Sequence, residues 1–170
     1  MSELQSALAE FGRRLLLTFG LLTVVQVAFE RPEFLALPEG GALFSVVLSG
    51  ALTEEMLPLI DRSVAVELHF SGFMYGTEGT KSALAKVHTL QYRSLDRRWL
   101  VRRGDRLEEY SRQEDAVAAF QRPEWYFADG QLLALVLQAE LHIPAIADES
   151  AVRALWRQQV PKLVFRVDSP

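Results

Sequence analysis

The stretch from Ser63 to Met74 constrains the fold more than any other. Val64, Val66, Leu68 and Phe70 alternate with Ala65, Glu67, His69 and Ser71. Successive side chains on a strand point to opposite faces, so this period of two predicts a strand with one apolar and one polar face. Such a strand needs partners beside it and a layer against its apolar side.

Partners are legible on both sides of it. Val87 to Tyr110 reads as a three-strand meander, with Ser94-Leu95-Asp96-Arg97 as its first turn. Gly104-Asp105 is a two-residue hairpin, because glycine accepts the positive φ of tight hairpins. Leu43 to Leu48, Leu132 to Ile143 and Leu163 to Val167 are further strands, the second ended by Pro144. Gly72, Gly76 and Gly79 mark a bend and a loop, and Pro32, Pro38, Gly40 and Gly41 punctuate another.

Helices are short. Thr53 is placed to cap one running to about Ile60, with Glu54 and Glu55 in its first turn and Pro58 limiting its length. Ser111-Arg112-Gln113-Glu114 has the spacing of a capping box ahead of Ala116, Val117, Ala119 and Phe120. Asp148 caps a helix through Trp156. Leu4, Leu8, Phe11 and Leu15 recur at helical spacing over Ser2 to Phe19. About seven or eight strands without βαβα alternation exclude a doubly wound nucleotide-binding sheet. The expected class is α+β, mainly β: an antiparallel sheet or β-sandwich with a few short helices and an N-terminal helix. An N-terminal segment, 1–29, precedes one strand-rich domain, 30–170.

Composition sets the remaining bounds. The chain has 170 residues, 49% hydrophobic and 24% charged, which is globular composition with enough chain for a core. Its net charge of −4 argues against a nucleic-acid partner. With no cysteine there is no disulfide, thiolate metal site or cysteine nucleophile. Arg13 and Arg14 precede an apolar run, Leu15 to Phe29, broken by Thr18, Gly20, Thr23 and Gln26. A basic pair before an apolar run is the layout of a secretory signal; Ala28 could sit just before a cut, but Gln26 is large and polar where a small residue is wanted. The run is also shorter than the roughly 20 apolar residues of a membrane span. Two readings stand. One is export or anchoring, giving a periplasmic or inner-membrane-anchored protein; the other is a buried helix in a cytoplasmic one.

From Phe44 onward the order of features resembles a family of uncharacterised bacterial exported proteins, domain of unknown function 4390. The resemblance lies in Phe44-Ser45-Val46-Val47-Leu48 with the helix before Arg62, and in Val64-Ala65-Val66-Glu67-Leu68. It continues in Leu90-Gln91-Tyr92-Arg93-Ser94-Leu95 with Arg98-Trp99-Leu100-Val101, and in the serine-led, alanine-rich segment Ser111 to Phe120. Trp99 stands where the family shows tyrosine, and Gly72-Phe73-Met74-Tyr75-Gly76 replaces its aromatic–basic segment. Such families are often encoded beside membrane sensor kinases, so the resemblance implies an accessory role at the cell envelope.

Catalytic signatures are absent from the sequence: it has no G-x-S-x-G, Walker loop, G-x-G-x-x-G or H-E-x-x-H. Two triplets repeat, Glu67-Leu68-His69 and Glu140-Leu141-His142, each on an expected strand. Residues two apart share a face, so Glu67, His69, Glu140 and His142 are metal-ligand candidates if their strands pair. The alternative is two solvated strand faces, and the expectation is that no metal and no other cofactor is held. His88 has no evident partner. The meander carries Arg93, Arg97, Arg98, Arg102, Arg103 and Arg106, followed by Arg112, interleaved with Asp96, Asp105, Glu108 and Glu109. This is either a face laced with cross-strand ion pairs or a patch for an acidic partner or anionic membrane. Trp125, Tyr126 and Phe127 form an aromatic cluster read as core or core lid. The functional expectation is a non-catalytic envelope accessory protein that binds another protein through a sheet face or edge. A small metal-binding protein or metalloenzyme on the Glu-x-His pairs and a lipid or amphiphile binder are the alternatives.

Overall fold

The computed structural model describes residues 26–38, 41–77, 79–127 and 132–166. The helix expected over Ser2 to Phe19, and the apolar run up to residue 25, lie outside them. No helix among the described residues is long and apolar enough to cross a membrane.

The described chain is mainly strand, and its centre is a six-stranded antiparallel sheet. The strands are β5 (Val66–Gly76), β6 (Lys81–Arg93), β7 (Arg98–Arg103), β8 (Arg106–Tyr110), β10 (Leu132–His142) and β11 (Lys162–Arg166), in the order β11-β10-β5-β6-β7-β8. The meander β5 to β8 is joined by short turns. Gly104 has φ +61 in the tight turn between β7 and β8, as the sequence predicts. β10 then returns to pair with β5 on its other side.

One face of this sheet is core and the other is open. Val66, Leu68 and Phe70 of β5 are buried with Leu90 of β6, Val101 of β7, and Leu135, Leu137 and Ala139 of β10. Burying each larger side chain of this set stabilises the fold by roughly 1.5–3 kcal/mol. The covering layer comes from a three-stranded sheet, β2 (Glu33–Ala36), β3 (Ala42–Ser45) and β9 (Glu124–Phe127). Phe44 of β3 stacks on Trp125 of β9 at 5.2 Å, and Trp125 meets Phe70 edge-on at 6.4 Å. The aromatic cluster is therefore a strand, with Trp125 and Phe127 buried and Tyr126 exposed. A two-stranded ribbon, β1 (Ala28–Phe29) with β4 (Leu48–Ser49), adds to this layer.

Several sequence expectations shift. The single strand expected over Leu43 to Leu48 is broken into β3 and β4, because Val46 and Leu48 donate instead to the carbonyls of Pro123 and Gln121. Gly72 is not a bend but lies in mid-β5, where a Cβ would come within 2.0 Å of the Val136 carbonyl oxygen. Thr53 does not cap: its hydroxyl is buried without a partner among the described residues, and a 3₁₀ turn, Glu54–Met56, leads into helix α1 (Leu57–Asp61). The capping box at Ser111 does not form either. Helix α2 (Gln113–Phe120) takes Arg112 as its N-cap, one residue too late for the serine to reach the first-turn amides. Asp148 does cap helix α3 (Glu149–Leu155), accepting from the Ser150 amide at 2.9 Å.

Candidate functional site

The alternation that builds β5 also sorts its polar residues onto the open face, and the ladder aligns them with those of β10. Glu67 lies directly opposite His142, and His69 directly opposite Glu140. The two strands are thus neighbours in register, and the repeated triplets form one rectangular quartet. Directly opposed Cβ atoms sit about 4.5–5.5 Å apart, so all four side chains share one patch. They are all partly exposed.

Within the quartet the histidines stack on the diagonal, ring centroids 4.0 Å apart and planes at 31°. His69 donates Nε2–H to Glu67 at 2.9 Å, and His142 turns Nε2 toward Glu140 at 3.6 Å. Each histidine faces the glutamate two residues before it on its own strand, and the strands are antiparallel. The two Nε2 atoms therefore point in opposite directions. A metal needs lone pairs that converge on one point about 2.0–2.1 Å from each nitrogen; stacked rings direct theirs past one another. Among the described residues no group of three histidine, aspartate or glutamate side chains is arranged to hold a metal ion.

The quartet borders a cleft of about 500 Å³ at the end of the sheet. Glu67, Glu140 and His142 line it on the sheet side, and Glu149, Arg153 and Trp156 on the side of α3. Arg153 is already paired with Glu149 at 3.4 Å. Trp156 is fixed from behind, donating Nε1–H to the Ala51 carbonyl at 2.9 Å.

His88 proves to have a partner. It sits on the core face of β6 and donates Nδ1–H to the Phe120 carbonyl at 2.8 Å, at the C-terminal end of α2. Burial pushes this imidazole down from 6.5 to about 4, so it is a neutral tie between sheet and helix. Its signal in the sequence was parity: Leu84, His88 and Leu90 share one side of β6.

The arginine-rich meander is not one patch. The ladders place Arg93, Arg98 and Arg102 on the open face, while Arg103 and Arg106 lie on the other. Arg103 and Arg106 both engage Glu108, at 2.7 and 2.8 Å, and Tyr110 donates to the same carboxylate. Burial works to raise Glu108, but the hydrogen bonds from Tyr110 and Arg103 outweigh it and hold the carboxyl below its usual range. The charges of these two arginines are thus met by Glu108 within the fold, while the Arg103 Nε–H is buried with no hydrogen-bond partner among the described residues. Arg93 is held by Asp96 and Glu109. Arg97 occupies a left-handed turn position, φ +54. Arg98 and Arg102 are exposed and form no salt bridge among the described residues, although Arg98 lies in the field of Asp96.

Cross-strand partners give the open face a simple map. One row reads Leu107, Arg102, Thr89, Glu67, His142 across β8, β7, β6, β5 and β10. Another reads Ala83, Phe73, Val136, Val164 across β6, β5, β10 and β11. Phe73, Val87, Leu107 and Val164 are 39, 41, 48 and 69% exposed. Exposed apolar side chains and arginines without a salt bridge among the described residues therefore share one sheet face. The chain matches no family model, no curated protein and no solved structure.

Proposed function

We propose that this chain is a non-catalytic binding module, an accessory protein of the cell envelope, that docks a protein partner on the open face of its six-stranded sheet. The observation that carries the reading is Arg98 and Arg102, exposed on that face without salt bridges among the described residues and next to Leu100, Leu107 and Val87. Guanidinium groups bind carboxylates in fixed two-point geometry, so the partner is one that brings carboxylates to an apolar surface. The envelope setting rests on Arg13 and Arg14 before the apolar run and on the resemblance to exported proteins.

The test uses a fluorescent glutamate-rich peptide as probe and the double reversal Arg98→Glu with Arg102→Glu. Binding is expected to weaken as salt rises and to vanish in the double variant while circular dichroism is unchanged. Salt-independent binding that survives the reversal removes this face from consideration. The cleft of about 500 Å³ supports a second reading, a site for a small amphiphile, since pockets of roughly 300–1,000 Å³ suit small ligands. Native mass spectrometry of purified protein decides it by the presence or absence of a co-purified ligand.

A further inference from the structure

We infer that the partner on the open face is a second copy of this chain, docked about a two-fold axis running along β6, with Arg102 of each copy against Glu67 of the other. The inference rests on the docking reading above and names its partner.

Arg102 pairs with Thr89 and Thr89 with Glu67, so the cation and the carboxylate stand in one row, one strand to either side of β6. When two sheets pack face to face around a two-fold axis, that axis lies in the interface. An axis along β6 sets β6 against itself and exchanges β7 with β5 and β8 with β10, keeping each row in place. Arg102 then faces Glu67, and Leu107 faces His142. Aligned face-to-face packing keeps strand directions within about 30° of each other, and the parallel β6 strands of this arrangement fall inside that range.

Three features of the face fit this arrangement. The middle of β6 presents Ala83, Ala85, Val87 and Thr89, none with a long side chain, and its long side chains, Lys81, Gln91 and Arg93, stand at the two ends, so two copies can approach at the centre to the ~10 Å of packed sheets. Val87, exposed on the axis, meets its own copy and supplies an apolar centre. The charges are complementary within one surface: Arg102 forms no salt bridge among the described residues, and Glu67 is engaged through one carboxylate oxygen by His69. A contact using the same patch on both copies closes at two and does not propagate into fibres.

Sedimentation velocity on the full chain across the micromolar range tests this. A concentration-dependent dimer is expected for the wild type. Arg102→Glu and Glu67→Arg should each weaken dimerisation by about tenfold or more, and the two together should restore it, with the charges exchanged. Val87→Lys sets like charges against each other on the axis and should give a monomer with wild-type circular dichroism. A wild type that stays monomeric, or a dimer that survives both single reversals and Val87→Lys, overturns the inference. A monomeric wild type that binds the acidic probe through Arg98 and Arg102 overturns the second copy as partner and leaves the docking reading standing.

Discussion

His69 and His142 stack across the β5–β10 ladder with ring centroids 4.0 Å apart, each turning Nε2 toward a glutamate of its own strand. The arrangement ties four ligand-type side chains to one another. Purified protein is therefore expected to carry no stoichiometric zinc or manganese. Elemental analysis checks this; one equivalent of metal, lost on His69→Ala or His142→Ala, would show that the rings rotate to bind and would revive the metalloprotein reading.

His88 predicts a pH dependence of stability. Its folded value lies near 4, below the ordinary 6.5, because burial disfavours the imidazolium. As pH falls below 6.5, the unfolded chain takes up a proton that the folded chain refuses. Stability is thus full above 6.5, declines between 6.5 and 4, and loses on the order of 3 kcal/mol from this group by pH 4. Carboxylates such as Glu108 add their own loss at the acid end. The contribution of His88 is the difference in slope between wild type and His88→Gln in urea titrations at several pH values. Equal slopes would mean the imidazole is not buried as described.

Gly72→Ala should be among the most damaging single substitutions in the sheet. A Cβ there would stand 2.0 Å from the Val136 carbonyl oxygen, an atom of the partner backbone that cannot swing aside. We expect a loss of about 3 kcal/mol or more, since overpacking against backbone costs at least that of a crowded side chain. A thermal midpoint within a degree or two of wild type would contradict the close approach of β5 and β10.

The two serine- and aspartate-led helix starts should respond differently. Asp148→Ala removes an acceptor from the Ser150 and Ala151 amides and should cost about 1 kcal/mol. Ser111→Ala, outside the N-cap position of α2, should cost almost nothing. Denaturant midpoints of the two variants check this; a larger loss at Ser111 would restore the capping box.

Location is testable by fractionation. The basic pair Arg13-Arg14 ahead of Leu15 to Phe29 leads us to expect the full-length protein with membranes or in the periplasm. Recovery wholly in the cytosol, with Leu16, Leu17 and Phe19 protected from solvent in the native protein, would make that segment part of the core.

The period of two made β5 and the meander legible, because each such strand has one buried and one open face. Sequence could not place β10 beside β5, since their pairing joins distant parts of the chain through backbone groups that every residue carries. That one adjacency is what turns two separate Glu-x-His triplets into a quartet. The strands it overlooked, β2 and β9, are four residues long and too short to show alternation. The arginines misled for a related reason. Neighbours along a strand point to opposite sides, so Arg102 and Arg103 look like one patch in sequence and are divided between two faces in space.

The position of β10 also governs how the molecule is made. β5 through β8 close on one another through short turns as they are synthesised, but the other side of β5 waits until Leu132 to His142 emerges, after α2 and β9. Until then the backbone amides and carbonyls from Val66 to Gly76 present a long unpaired edge, the kind that recruits strands from other chains. A chain halted at Phe127 would hold a finished meander with an adhesive flank. The late arrival of one strand is thus the step on which the solubility of a newly made molecule depends.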